Sequence, residues 1–337
     1  MTGLERSLAF IAQHPVDRPP FHPIIMRWAA KYSNVKYREF CTDPSSKCTA
    51  MIRCAKDFDI DWVTVMSDPW AEASAFGIEV TYPEDSLPVD TGGQFRDAES
   101  VSGIMKYNPH KNIRCLGRIK EIGEFRKQLN NEYFIVGWVE GPVAEYVDLR
   151  GATGASLDFM MEADYVDKAM DTIIDSALDF IALQIEEGAH CIGIGDAFCS
   201  QIGPELYEQF AFERQKVLVD HIHNLGAKAK LHICGNTEAI LPKMIATQAD
   251  IIDIDHLVLD MADYVDLLGN NQVFSGKADP VTIIQNGTQN EIMNTVIDDY
   301  RKAKGKCIIS AGCEITPGTS VENMNAFRLV ASALGRK

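Results

Sequence analysis

Gly203-Pro204-Glu205-Leu206 opens a stretch that runs on to Gly226 and then to Lys228-Ala229-Lys230-Leu231-His232-Ile233-Cys234-Gly235-Asn236. Its first part reads as one helix, Pro204 to Leu225. Gly203 serves as N-cap, and Pro204 takes the first helical position, where its missing N–H costs nothing. Leu206, Phe210, Val217 and Ile222 mark one apolar face, and Gly226 ends the helix. Lys228–Ile233 is then too short for a helix and reads as a strand. A long helix delivering the chain into a short strand is the repeating step of a βα architecture.

The same step recurs along the chain. Strands are predicted at Phe21–Met26, Trp62–Met66, Tyr133–Trp138, Cys191–Gly195, Lys228–Ile233, Ile251–Ile254, Val273–Ser275 and Cys307–Ser310. Several are apolar throughout, as parallel strands covered by helices are. Further helices are predicted at Met1 to Gln13, Asp164 to Glu187 (stopping at Gly188) and Val321 to Leu334. Eight βα units predict an α/β fold, a (β/α)8 TIM barrel with an N-terminal helical extension, with residues 1–337 as one domain. A doubly wound open sheet is the alternative, but no charged or proline-blunted pair of edge strands supports it. The connection over residues 69–131 contains Gly77, Pro83, Pro88, Gly92 and Gly93. It reads as an excursion over the barrel mouth followed by a helix near Gly117–Leu129.

Composition narrows the partners. The 337 residues are 46% hydrophobic, enough for a large core, and carry 32 basic against 48 acidic side chains, a net charge of −16. Such a surface repels nucleic acid and anionic lipid. The N-terminal segment lacks the apolar run of a signal peptide. No stretch of about 18 apolar residues suggests a membrane span. Nine cysteines, an odd number without a secretion signal, point to a reducing cytoplasm. Cys41, Cys48 and Cys54 are too irregularly spaced for a zinc knuckle, and Cys191 and Cys307 fall within strands. Cys199 follows the fourth strand.

The strand ends carry the chemistry. In chain order they are followed by Arg27 and Lys31, Asp68, Glu140, Asp196, His232 with Cys234, Asp255 with His256, Lys277 with Asp279, and Cys313. In a TIM barrel these ends converge on one face, where active sites lie. His232 and Cys234, at i and i+2 of a strand end, point to the same side. Cys313 follows the eighth strand, which faces the fifth across the mouth. A Cys2His set matches a catalytic Zn²⁺ site with its fourth position open. A buried histidine beside a buried thiol is the plain alternative for His-x-Cys alone.

Met26-Arg27-Trp28-Ala29-Ala30-Lys31-Tyr32, followed by Tyr37-Arg38-Glu39, resembles the M-R-Q-A-G-R-Y segment of the uroporphyrinogen decarboxylase superfamily. Val65-Met66-Ser67-Asp68 resembles its F-S-D segment, whose aspartate contacts pyrrole nitrogens in the decarboxylases. Ala249-Asp250 through Asp255 resembles its G-A-D-V-V-G-L-D strand. The resemblance covers nearly the whole chain, with two departures. Lys31 replaces an arginine and cannot meet a carboxylate bidentately. Ser310-Ala311-Gly312-Cys313-Glu314 stands where the decarboxylases keep an N-L-G-H-G turn. Leu231-His232-Ile233-Cys234-Gly235-Asn236 instead resembles the L-H-I-C-G-N of the corrinoid-linked methyltransferase branch, whose zinc site has the form H-x-C…C.

The resemblance implies a zinc-dependent methyltransferase working with a corrinoid (cobalamin) protein and a small methyl donor or acceptor, with a homodimer as the candidate assembly. It implies His232, Cys234 and Cys313 as metal ligands and catalytic residues, and Asp255 as a fourth ligand when substrate is absent, with His256 a lesser substitute. Arg27, Lys31 and Lys277 are expected to orient an anionic substrate tail or a corrinoid side chain. Asp68, Glu140 and Asp196 are expected as hydrogen-bonding supports. Zinc would act as a Lewis acid, either presenting a thiolate acceptor or polarising a methylated donor; the sequence leaves the direction open. Two other readings stay in view: a metal-free porphyrinogen decarboxylase, and a zinc-bearing barrel that only docks a corrinoid protein.

Overall fold

The computed structural model describes residues 1–92, 95–161 and 164–335. Gly93 and the last two residues of the expected 1–337 domain lie outside the described residues. In chain order the strands are β1 (Trp62–Thr64), β2 (Val80–Thr81), β3 (Val89–Asp90), β4 (Phe134–Glu140), β5 (Cys191–Gly195), β6 (Lys228–Ile233), β7 (Ile251–Ile254), β8 (Val273–Ala278) and β9 (Cys307–Ala311). β2 and β3 form a small antiparallel pair, and the other seven form one curled parallel sheet in the order β1-β4-β5-β6-β7-β8-β9. β5, β6 and β7 fall on their predicted residues. β4 runs on to Glu140 and β8 to Ala278, which lengthens both toward the mouth.

The predicted strand Phe21–Met26 does not form. Only Phe21 pairs, as a single parallel bridge to Ile309 of β9. The reason is local: Pro19, Pro20 and Pro23 lack ladder donors, and the chain turns directly into the helix Arg27–Tyr32. That short segment nevertheless closes the barrel. On one side the Ile309 N–H donates to the Pro20 carbonyl and the His22 N–H to the Ile309 carbonyl, each at 2.9 Å. On the other, the Asp61 N–H donates to the Phe21 carbonyl at 2.9 Å, just ahead of β1. The Asp61 carboxylate then takes the Phe21 N–H at 2.7 Å, Arg18 at 2.7 Å and Arg6 at 2.5 Å. Arg6 sits on the N-terminal helix Gly3–Ile11, begun by a Thr2/Glu5 capping box.

Strand periodicity divides the core in two. Trp62, Phe134, Val136, Cys191, Ile251, Val273 and Ile308 fill the barrel floor together with Phe10 and Ile11 of the first helix. Residues of opposite parity, such as Val63, Ile135, Ile192, Leu231, Ile252, Phe274 and Ile309, face outward under the helices. Continuing the inner parity upward gives Trp138 and Glu140, Gly193 and Gly195, Lys230 and His232, Asp253, and Ser275. The inner face is thus apolar at the bottom and polar toward the mouth.

Three connections between strands qualify the expected helices. The helix starts at Pro204 as predicted, set off from a preceding helical turn at Cys199 by Gly203, whose φ of 81° excludes helical geometry. It continues as a wide turn, Tyr207–Phe212, and then as Glu213–Asn224. In the excursion after β1, the helix expected near Gly117 starts at Ile113, because the Asn112 side chain caps Arg114 and Cys115. Between β7 and β8 only short 3-10 turns form, Met261–Asp263 and Val265–Leu267. Among the described residues no helix is long and apolar enough to cross a membrane.

Asp61→Asn should remove the charge that holds Arg6 and Arg18 to the closing segment. The expected cost is about 3–5 kcal/mol, typical of breaking a buried ion pair, read as a lowered urea midpoint. A shift below about 1 kcal/mol, the scale of an exposed pair, would show that closure does not depend on this carboxylate.

Candidate metal centre

His232 lies one residue before the end of β6 on its inner face, and Cys234 follows two residues later on the same side. Gly235 then turns the chain at φ 91°, and a side chain there would strike Ser200. Cys313 arrives from the opposite side, two residues beyond β9, after Gly312. A Cβ on Gly312 would lie 3.0 Å from the Asp255 backbone, so this turn needs glycine to press against the end of β7. The result brings the three sequence-predicted ligands together. His232 Nε2 is 2.9 Å from Cys234 Sγ, which is 3.3 Å from Cys313 Sγ, and all three donor atoms lie within 4.8 Å of one another. Neither thiol is in a disulfide. A tetrahedral Zn²⁺, with bonds of about 2.3 Å to sulfur and 2.0–2.1 Å to nitrogen, needs donors roughly 3.6–3.8 Å apart. The three side chains fit that ion after shifts of under an ångström or so, and their soft donor set suits it.

Two residues that sequence reading overlooked support the imidazole. His232 Nδ1 lies 2.8 Å from Asp253 Oδ2, and the same oxygen is 2.8 Å from Lys230 Nζ. All three groups are buried. Burial alone would lower the His232 pKa, but Asp253 and then Cys313 raise it to about 9. The hydrogen bond from Cys234 outweighs burial and, with His232, brings the Cys313 thiol down to about 4, while Cys234 itself moves upward. A ligand histidine with a carboxylate on its other nitrogen has its ring orientation fixed. The signal was present in the sequence: Lys230 shares the inner parity of His232, and Asp253 interrupts the apolar run Ile251-Ile252-Asp253-Ile254.

The other expected residues take varied places. Asp255 is not part of the three-donor cluster. Its carboxylate accepts the Gly235 N–H at 2.9 Å and the Leu257 N–H at 3.2 Å, and it lies 2.5 Å from His256 Nδ1, so it steadies the Cys234 turn. Arg27 pairs with Glu314 at 3.2 Å, and Lys31 donates to the Pro317 carbonyl at 2.8 Å, so both brace the loop carrying Cys313. They also border a cleft with Lys36 and Tyr37. Lys277 donates to the carbonyls of Val258 and Leu259, at 2.8 and 3.1 Å, and holds the loop after β7. Asp68 is buried and paired with Arg114 at 2.5 Å. Asp196, fully buried, takes the Ala144 N–H and the Gln215 amide, each at 2.7 Å, and burial lifts its pKa to about 6. Glu140 accepts from Trp138 Nε1 at 2.9 Å, and the Trp138 ring lies 6.3 Å from that of His232. Glu72 and Arg118, also absent from the sequence reading, form a buried pair at 2.8 Å beneath Glu140.

Asp253→Asn is expected to weaken zinc binding by about 10–100-fold, the usual cost of losing a carboxylate behind a ligand histidine. Competition against a chelator would measure it. Unchanged affinity would mean that Asp253 only fills the barrel.

The uroporphyrinogen decarboxylase (URO-D) family profile matches residues 2–333. The uroporphyrinogen decarboxylase of Prochlorococcus marinus is 28% identical over 331 residues, covering 93% of this chain and 92% of its own. That of Parasynechococcus marenigrum is also 28% identical, over 93% of this chain and 91% of its own. Among solved structures, a methyltransferase from Methanosarcina mazei matches with a TM-score of 0.89 over 99% of both chains, at 19% identity. A B12-independent methionine synthase from a Shewanella species matches with a TM-score of 0.56 at 12% identity, over 86% of this chain and 87% of its own. At such identities the two structures bear on the fold, which they share. With a profile that spans almost every residue, this chain belongs to the URO-D family.

Proposed function

We propose that this chain is a zinc-dependent methyltransferase that moves a methyl group between a corrinoid protein and a small molecule. The observation that carries the reading is the convergence of His232, Cys234 and Cys313, two thiols and an imidazole with donor atoms within 4.8 Å, at the barrel mouth. Bound there, Zn²⁺ supplies Lewis acidity at an open fourth position. Asp253 and Lys230 hold the imidazole. Asp255 and Gly235 shape the Cys234 turn, and Arg27, Lys31 and Gly312 fix the Cys313 turn. Arg27 and Lys31, on their cleft, remain the candidates for an anionic group of the substrate or corrinoid. Asp255, which lies outside the three-donor cluster and holds the Gly235 N–H, stays the candidate to complete the metal shell when substrate is absent. The Methanosarcina mazei protein that shares this fold is a methyltransferase, which agrees with this reading. Nine free cysteines suit a cytoplasmic protein.

The names of the curated relatives favour a tetrapyrrole decarboxylase instead. Two features speak against it. Cys313 stands at the turn where the decarboxylases keep histidine. The Asp68 carboxylate, which contacts pyrrole nitrogens in those enzymes, is here engaged by Arg114 and Ser67.

Protein purified without added metal is expected to carry about one zinc per chain, as a three-ligand site does. Cys313→Ala should lose both zinc and methyl transfer, whether to a reduced corrinoid protein from methoxyarenes and methylamines or from a methylated one to small thiols. Absence of zinc together with CO2 release from uroporphyrinogen would overturn the proposal. Full turnover by Cys313→Ala would reduce the centre to a structural or docking role.

A further inference from the structure

Glu140 occupies a position that the metal site alone does not explain. It ends β4 on the inner face and pairs in register with Gly195 of β5, which in turn pairs with His232 of β6. One strand without a side chain therefore separates Glu140 from the ligand histidine. That absence is filled from the β4 side. A Cβ on Gly195 would lie 2.6 Å from the Trp138 ring and 3.2 Å from Glu140 Oε2, so the carboxyl group leans across β5 toward the metal centre. Trp138 Nε1 holds Oε1 in place at 2.9 Å. Oε2 has no hydrogen-bond partner among the described residues, and Glu140 is partly exposed at the mouth.

The surroundings of Glu140 are crowded with acids. Glu72, from the helix Trp70–Phe76, accepts the Glu140 N–H at 3.0 Å through one oxygen and pairs with Arg118 through the other. Glu145 and Asp148 approach from the helix Pro142–Arg150, and Asp196 from the end of β5. Arg118, from the helix Ile113–Leu129, is the cation that faces the group, and it is already committed to Glu72 and to the Asp68 carbonyl. Glu145 is 1% exposed, and neither of its oxygens has a partner, so it is buried as the neutral acid. Burial, then repulsion from Glu72, lifts the Glu140 pKa to about 8. It therefore keeps its proton at neutral pH and loses it as the pH rises through that value.

We infer that Glu140 is the acid that protonates the heteroatom from which the methyl group departs, so that the chain works on a methylated ether, amine or thioether donor. This rests on the methyltransferase reading and gives it a direction. In the step, the carbon–heteroatom bond breaks and its electron pair stays on the heteroatom. A cobalt(I) corrinoid supplies the pair that forms the new carbon–cobalt bond and is oxidised to the cobalt(III) level. The heteroatom takes the proton from Glu140, which leaves a carboxylate that solvent reprotonates at the mouth.

The test uses the full-length, zinc-loaded protein with ¹³C-carboxyl-labelled glutamate. A resonance titrating near neutrality and missing in Glu140→Gln is expected. A Glu140 resonance confined to the ordinary carboxylate range would overturn the inference, whatever the protein's activity. In turnover of a methoxyarene with reduced corrinoid protein, Glu140→Gln should lose about 10²–10⁴-fold in kcat, the usual contribution of a general acid. Its alkaline pH limb should vanish, while zinc content and KM hold and Glu140→Asp regains part of the rate. Unchanged turnover, or a loss that merely follows zinc loss, would also overturn it. If wild-type protein lacks zinc or transfers methyl from no donor while the carboxyl still titrates near neutrality, the methyltransferase reading fails instead.

Discussion

Everything at the mouth depends on the single bridge between Phe21 and Ile309. β6 and β9 are not neighbours in the sheet, so His232 and Cys313 can meet only if the sheet curls back on itself. Closure is made by one residue instead of a full strand, because the prolines around it leave few donors. The missing ladder is offset by the Asp61 carboxylate, which ties the closing segment, the entry to β1 and the first helix through Arg18 and Arg6. Charge in a buried position thus takes the part that backbone hydrogen bonding plays at the other strand pairs.

A second use of buried charge lies above the floor. Lys230 and Asp253 would be expensive in a dry barrel if either stood alone. As a pair they neutralise each other, and the carboxylate they share orients His232. The candidate metal centre is therefore supported from below by strand residues and from the sides by loops. Arg27 and Lys31 steady the β9 turn, while Asp255 and Lys277 steady the turns after β6 and β7. Cations expected to greet an anionic reactant spend much of their hydrogen-bonding capacity on protein carbonyls and carboxylates.

Much of this was readable in the sequence, for identifiable reasons. β5, β6 and β7 matched their predicted residues because each is too short for a helix and is set off by glycine or a polar turn. The meeting of His232, Cys234 and Cys313 was legible because i and i+2 on a strand share a side, and because Cys313 departs from a family pattern. The strand at Phe21–Met26 was misread because apolar content outweighed the donor count that prolines impose. Asp253, Lys230, Glu72 and Arg118 were missed because their meaning lies in partners from other elements. Asp68 and Asp196 both follow strands, but only packing shows that each is already satisfied by Arg114 or by Ala144 and Gln215.

The apolar floor has a further consequence. Phe10 and Ile11 cover the end of the barrel opposite the cysteines, packed with Trp62, Phe134, Val136 and Ile251 into one buried apolar layer. The barrel is a blind cup, not a tunnel. Anything that reaches His232, Cys234 and Cys313 therefore arrives and departs by the same rim.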